Sequence, residues 1–357
     1  MQEQVIFSSH GVANDNLFFN YTGRGKDRQA GGVLPFRRPR RDFPPQPEVL
    51  ASRHAAAAFP QHSGRRGIYA INAFRLSMRD LGFVEGRNVT YEIRTETEST
   101  DESLARMAVE LSGLPLDAVL VANTPPTLAM RQAVSLTTAR TMPIVMIEVG
   151  DPEASGLASN LVRPGGNITG MTNLDSELAA KRLQLLKEAA PALKRIAVLG
   201  NPENPVFAPQ LRNVEAAART LDVELLREDV SGTFELERAF DRIVERKADG
   251  VLRLIGFRSQ AGLKRLAELV ARHRLPCCTD RASEVRDGLL MSYGPNTASA
   301  YRQAARIVDK ILQGASPAGL PIEQPQKFDL TVNLGTVKAL GIVFPASILA
   351  RTTETVR

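Results

Sequence analysis

The side chains capable of chemistry in this chain gather where its apolar runs stop. AVLVA (118–122) ends at Asn123-Thr124-Pro125-Pro126-Thr127, and PIVMIEV (143–149) ends at Gly150-Asp151-Pro152. IAVLG (196–200) ends at Asn201-Pro202-Glu203-Asn204-Pro205, GVLRLI (250–255) at Gly256-Phe257, LPCCT (275–279) at Asp280, and LLM (289–291) at Ser292-Tyr293. Hydroxyl and amide groups on Asn123, Thr124 and Thr127, with Pro125 between them at a helix N-terminus, can hold a carboxylate. Asp151 offers the countercharge for an ammonium, so the set suits an amino-acid-like zwitterion. Tyr293 and Phe257 can sandwich an apolar or aromatic group, while Asn201, Asn204 and Asp280 bond polar ones. Plainer roles stand beside these: Thr124 or Thr127 capping a helix, Asp151 fixing a turn, Phe257 packing on the following helix.

Catalysis needs a nucleophile with its base, a metal, or tuned carboxylates, and no such group assembles. Three of the four histidines, His10, His54 and His62, lie in the irregular N-terminus. His273 ends a helix between Arg272 and Arg274. There is no G-x-S-x-G, P-loop or zinc spacing, and PGGN (164–167) lacks the dinucleotide-binding period. Cys277 and Cys278 are adjacent in an apparent strand, where two small apolar residues filling a core are the simpler reading. The chain is therefore read as a binder, not an enzyme, with no cofactor and no metal.

These turns are spaced by alternating strand and helix patterns, the signature of parallel sheets covered on both faces. The first series runs through a strand at 88–94, a helix at 101–111, a strand at 118–124, a helix at 127–137 and a strand at 143–149. A short helix at 154–161, the turn at Arg163-Pro164-Gly165-Gly166-Asn167 and a strand at 168–171 follow. A second series occupies 176–279, and a helix whose apolar face carries Tyr301, Ala304, Ala305, Val308, Ile311 and Leu312 comes after LLMSYG. The fold class is α/β, with two doubly wound parallel-sheet lobes and the ligand at strand C-termini between them. At 43% hydrophobic the chain can build two such cores, and no run approaches the roughly 18 apolar residues of a membrane helix.

GDP (150–152), LVRPGGNITG (161–170), the helix ELAAKRLQLLKEAAP, IAVLGNPENP, LLMSYG and the tail KFDLTVNLGTVKALGIVFPASILAR together resemble the ABC transporter substrate-binding protein family, which groups with tryptophan- and tyrosine-type uptake proteins. The resemblance runs from about Ala73 to Arg351. It implies a periplasmic-binding-protein type I fold that crosses between lobes near Met171, Ser292 and Pro321. The first lobe would then comprise 67–172 with 292–320, and the second 173–291 with 321–357. It further implies a small-molecule ligand, hinge closure, an ABC permease and its ATPase as partners, a monomer, and a periplasmic location. An effector-binding lobe pair of a transcription regulator shares this architecture, but residues 1–72 supply no helix-turn-helix.

The net charge of +6 is concentrated in residues 1–66, which hold ten Lys/Arg against five acids. A basic tail on a near-neutral globule, without an aromatic-interleaved basic face, does not indicate nucleic-acid binding. Arg40-Arg41-Asp42-Phe43 looks like the head of a twin-arginine export signal. Pro44-Pro45-Gln46-Pro47 follows where an apolar core of about 7–15 residues belongs. As written, this is a degenerate signal, and retention in the cytoplasm is an alternative. The central strand preceding the helix near Ala73 is also weak: Gly67-Ile68-Tyr69-Ala70-Ile71 is the nearest candidate, and Val5 to Ser9 a more distant one. Residues 1–66 are read as irregular. A shifted frame across roughly 43–72, giving a non-functional product, is the remaining alternative.

Overall fold

The computed structural model describes residues 53–59, 65–95, 100–137, 142–255 and 260–357. Its first part contains β1 (Arg53–Phe59), α1 (Arg65–Asp80), β2 (Val89–Thr95), α2 (Asp101–Ser112), β3 (Ala118–Ala122), α3 (Thr124–Thr137), β4 (Ile144–Val149) and β5 (Ile168–Thr172). The second contains α4 (Asp175–Ala189), β6 (Arg195–Gly200), α5 (Phe207–Leu221), β7 (Glu224–Asp229), α6 (Thr233–Glu245), β8 (Gly250–Arg253), α7 (Gln260–Arg272), β9 (Cys277–Thr279), α8 (Ala282–Arg286) and β10 (Met291–Pro295). There follow α9 (Thr297–Leu312), β11 (Phe328–Asn333), α10 (Leu334–Leu340), α11 (Ala346–Arg351) and β12 (Glu354–Val356).

The first sheet has the order β2-β1-β3-β4-β5 and is parallel throughout. β3 is buried at every position, as a strand covered on both faces must be. One face receives α1 and α9 through Phe74, Met78, Tyr301, Ala304 and Val308, and the other is filled by Met107, Leu111, Met130 and Val134 from α2 and α3. The second sheet runs β12-β11-β10-β9-β8-β6-β7, with β11 antiparallel to β10. Its two faces carry separate cores, one around Leu183, Leu186 and Phe207 and one around Leu236, Phe240 and Leu266.

Sequence expectations are corrected at three places. Gly67–Ile71 is not a strand but part of α1, because Ala70, Ile71, Phe74 and Met78 recur at helical spacing and are all buried. β1, inside the stretch read as irregular, is an interior strand of the first sheet, and its backbone pairs with β2 and β3 on either side. Those two neighbours supply the partners that its own composition does not advertise. Ala154–Leu161 forms turns, not a helix: after the Ser155 N–H reaches Asp151 O at 3.0 Å the i−4 ladder is lost, the Gly156 N–H going to Glu153 O at 2.9 Å and the Leu157 and Ala158 N–H groups both to Pro152 O at 2.8 and 3.2 Å. The Val5–Ser9 strand candidate and the Arg40–Phe43 motif lie outside the described residues.

The chain passes between sheets after β5, after β10 and again between Leu320 and β11. The last passage is tied to the edge of β5: Glu323 N–H donates to Gly170 O (2.8 Å), Thr172 N–H to Glu323 O (3.1 Å) and the Thr169 hydroxyl to Leu320 O (2.8 Å). Gly170 is required there, because it sits at φ +136° and any Cβ would run into the Met146 backbone.

Candidate functional site

A cavity of about 510 Å³ opens where the two sheets meet. The first sheet contributes Ile147, Glu148, Met171 and Thr172; the second contributes Asp280–Ser283, Ser292 and Gly294; Asn173 and Asp175 belong to the passage between them. A parallel sheet leaves its strand C-termini open to loops, and both sheets direct such ends here.

An ion network organises the second-sheet wall. Arg253, at the end of β8, donates to Glu284 through Nε and Nη2, both at 2.8 Å, and pairs with Asp280. The Thr279 hydroxyl donates to Glu284 at 2.6 Å. Burial alone would raise the Asp280 carboxyl, but Arg253, Arg281 and Arg182 hold it far below the ordinary carboxylate range. Arg281 then reaches the first sheet: its Nη2 donates to Asn123 Oδ1 at 3.0 Å and its Nη1 stands 3.3 Å from Glu148 Oε2. On the passage, Arg182 Nη2 pairs with Asp175 Oδ1 at 2.7 Å and its Nε donates to Tyr293 O at 2.7 Å. Burial pushes the Asp175 carboxyl upward despite that partner. Asn173 donates to Asp175 at 2.9 Å, while its buried Oδ1 has no partner among the described residues.

Of the residues singled out from sequence, Asp280 lines the cavity. Asn123 sits behind Arg281 in left-handed backbone (φ 73°). Its carbonyl takes the Thr127 hydroxyl at 2.7 Å, and Thr124 Oγ1 accepts the Gly150 N–H at 3.3 Å, so these two buried hydroxyls are engaged in holding the turn. Pro125 is half-buried in the first turn of α3, where a missing N–H costs nothing. Asp151 fixes its own turn and accepts the Ser176 hydroxyl of α4 at 3.3 Å. Asn201 accepts the Glu203 N–H (2.9 Å) and Asn204 the Val206 N–H (3.0 Å), which stiffens the loop after β6. Tyr293 stacks on Phe328 with centroids 6.0 Å apart. Phe257 lies outside the described residues.

Sequence reasoning passed over Glu148, Arg281, Asn173 and Asp175. A signal for the first was available: a lone glutamate inside the apolar run PIVMIEV must find a partner or leave the core. Arg253 in GVLRLI carried the same signal. Nothing local marks Arg281 as a bridge, since its partners on the first sheet are more than a hundred residues away in the chain.

The fold is shared with known proteins. A tyrosine-binding protein from Clostridioides difficile is 23% identical over 273 residues, covering 76% of each chain. The crystal structure of an ABC domain in complex with L-Trp from Streptococcus pneumonia is 19% identical with a TM-score of 0.74, covering 85% of this chain and 99% of that one. A conserved domain protein from Vibrio cholerae is 24% identical with the same TM-score and the same coverage. Likeness at this level shows the shared two-sheet fold. The model of the family described as ABC transporter substrate binding protein matches residues 56–356, beginning upstream of Ala73 and taking in most of β1, and the chain belongs to that family.

Proposed function

We propose that this solute-binding protein captures an amino acid of the tyrosine or tryptophan kind in the cavity between its sheets. It would work as a monomer on the outer side of a membrane and deliver its load to an ABC permease driven by an ATPase. Among the described residues no helix is long and apolar enough to cross a membrane.

The single observation that carries this reading is the wall of the cavity, which sets the Arg281 guanidinium beside the carboxylates of Glu148, Asp175 and Asp280. A zwitterion presents both signs within one small molecule and is complementary to such a wall, whereas a neutral sugar can hydrogen-bond to these groups but brings no charge to match them. The volume falls within the usual range of about 300–1,000 Å³ for small-molecule sites. In this reading Asp280 and Tyr293 shape the second wall, and Asn123 acts through Arg281. Thr124, Thr127, Asp151, Asn201 and Asn204 hold the loops, with Pro125 setting the start of α3. The amino-acid class is supported by the printed ligands of the two relatives.

Titration calorimetry of the whole chain with tyrosine, tryptophan, tyramine and 3-(4-hydroxyphenyl)propionate tests it. At least one amino acid should bind, and loss of either its carboxylate or its ammonium should weaken binding more than about tenfold. Equal binding of the truncated compounds, or no binding by a chain that unfolds cooperatively, overturns the zwitterion reading.

A further inference from the structure

The Arg281 guanidinium makes a charged contact between the two sheets' walls. Arg281 extends from the end of β9 to Glu148 (3.3 Å) and Asn123 (3.0 Å), which terminate adjacent strands of the other sheet. Both receiving residues are left-handed, at φ 56° and 73°. For a glutamate this is an uncommon conformation, retained only where the surroundings over-determine it. The β4–β5 register breaks between Met146 and Val149, and Glu148 is the residue freed from the alternation of its strand. The guanidinium is held from behind in turn, since its Nε lies 3.3 Å from Asp280 Oδ2 and Asp280 is fixed by Arg253. Close approach continues beside it: a Cβ on Gly150 would stand 2.6 Å from Val206 Cγ1 of the second half.

We propose that Arg281 is a latch, a positioning residue that sets the balance between closed and open arrangements of the two halves by bridging Glu148 and Asn123 with or without solute. The Arg281 side chain is 27% exposed and that of Glu148 13%, so water and salt reach the pair and it can part. The Arg182–Asp175 pair, fully buried, has no such freedom.

The test uses the full chain carrying Leu136→Cys on α3 and Phe234→Cys on α6, labelled for single-molecule energy transfer. Both positions are open, at 76% and 73% exposure. The native Cys277 and Cys278 are buried, with both thiols pushed up by that burial, Cys278 to about 12, and resist labelling. In solute-free protein at low salt, Arg281→Gln should lower the closed-to-open ratio about fivefold and Glu148→Gln about threefold. The double variant should fall no further than Arg281→Gln, because the two changes remove one interaction. Arg281→Lys should recover part of the ratio, and 1 M NaCl should shift the wild type but not the double variant. An unchanged ratio in folded Arg281→Gln, or additive losses in the double variant, overturns the latch. Should Arg281→Gln fail to fold, Glu148→Gln with its salt dependence decides alone. The latch concerns the cleft of the proposed amino-acid site, yet the readout needs no solute: failure to bind amino acids would overturn that reading and leave this comparison standing.

Discussion

Two arginine–carboxylate pairs lie within one neighbourhood and obey different rules. Arg182 and Asp175 are both on α4, 0% and 1% exposed, and the guanidinium also bonds a β10 carbonyl, so the pair stitches one sheet to its own covering helix. Arg281 and Glu148 belong to different sheets and keep some contact with water. Separating charges that are fully out of water leaves each of them bare in a dry interior, which holds such a pair in place even though Arg182 Nη1 has no partner among the described residues. A pair that remains partly wet contributes less and can separate without leaving a bare charge in a dry interior. The molecule thus puts its dry ion pair where nothing must move and its wet one where two bodies meet.

Breaking the dry pair should have the largest effect. Arg182→Leu leaves Asp175 buried without its countercharge and should cost about 3–5 kcal/mol in denaturant unfolding. A loss under about 1 kcal/mol would mean that the two pairs do not differ. The contact beside the wet pair comes next. Gly150→Ala drives a methyl group into Val206, and a cost of about 1–3 kcal/mol falls on closure. Solute affinity should drop about tenfold with little change in the unfolding midpoint, and Val206→Ala should restore it.

Acid separates the carboxylates by sign. Asp280 titrates below its ordinary 3.8 in the folded chain, so the stability it contributes is present above that value and is lost as the pH falls through the lower folded value. Asp175 is shifted the other way, and its protonation on acidification brings no such loss. Unfolding midpoints measured between about pH 5 and pH 2 should therefore fall less steeply in Asp280→Asn than in wild type. The smallest effect belongs to an exposed pair in the second sheet. Arg227 and Asp229 are about half exposed, and Asp229→Asn should change stability by less than about 1 kcal/mol.

The fold was legible to the extent that it depends on local pattern. AVLVA, IVMIEV and IAVLG read as buried strands from their unbroken apolar character, and the helix carrying Tyr301, Ala304 and Val308 from its spacing. β1 was not legible: its alanines carry no strand signal, and its place is decided by pairing on both sides. The candidate site divides in the same way. Strand-end loops such as Asn123–Thr127 and Asn201–Asn204 were visible as punctuation, but their polar atoms prove to be spent largely on their own turns. Side chains that line the cavity, Glu148 and Asn173 among them, sat inside or beside strands where a sequence reader looks for core.

By itself, the sequence determined the family, the alternation that makes two doubly wound sheets, and the apolar runs whose ends must hold the site. Those follow from periodicity and turn chemistry, which act over a few residues. Tertiary structure alone decided that Arg281 meets Glu148 and Asn123, that Gly150 lies against Val206, and that β1 pairs between β2 and β3 inside the first sheet. Each of these joins residues distant in the chain, and such contacts exist only once burial of the cores has brought those segments together.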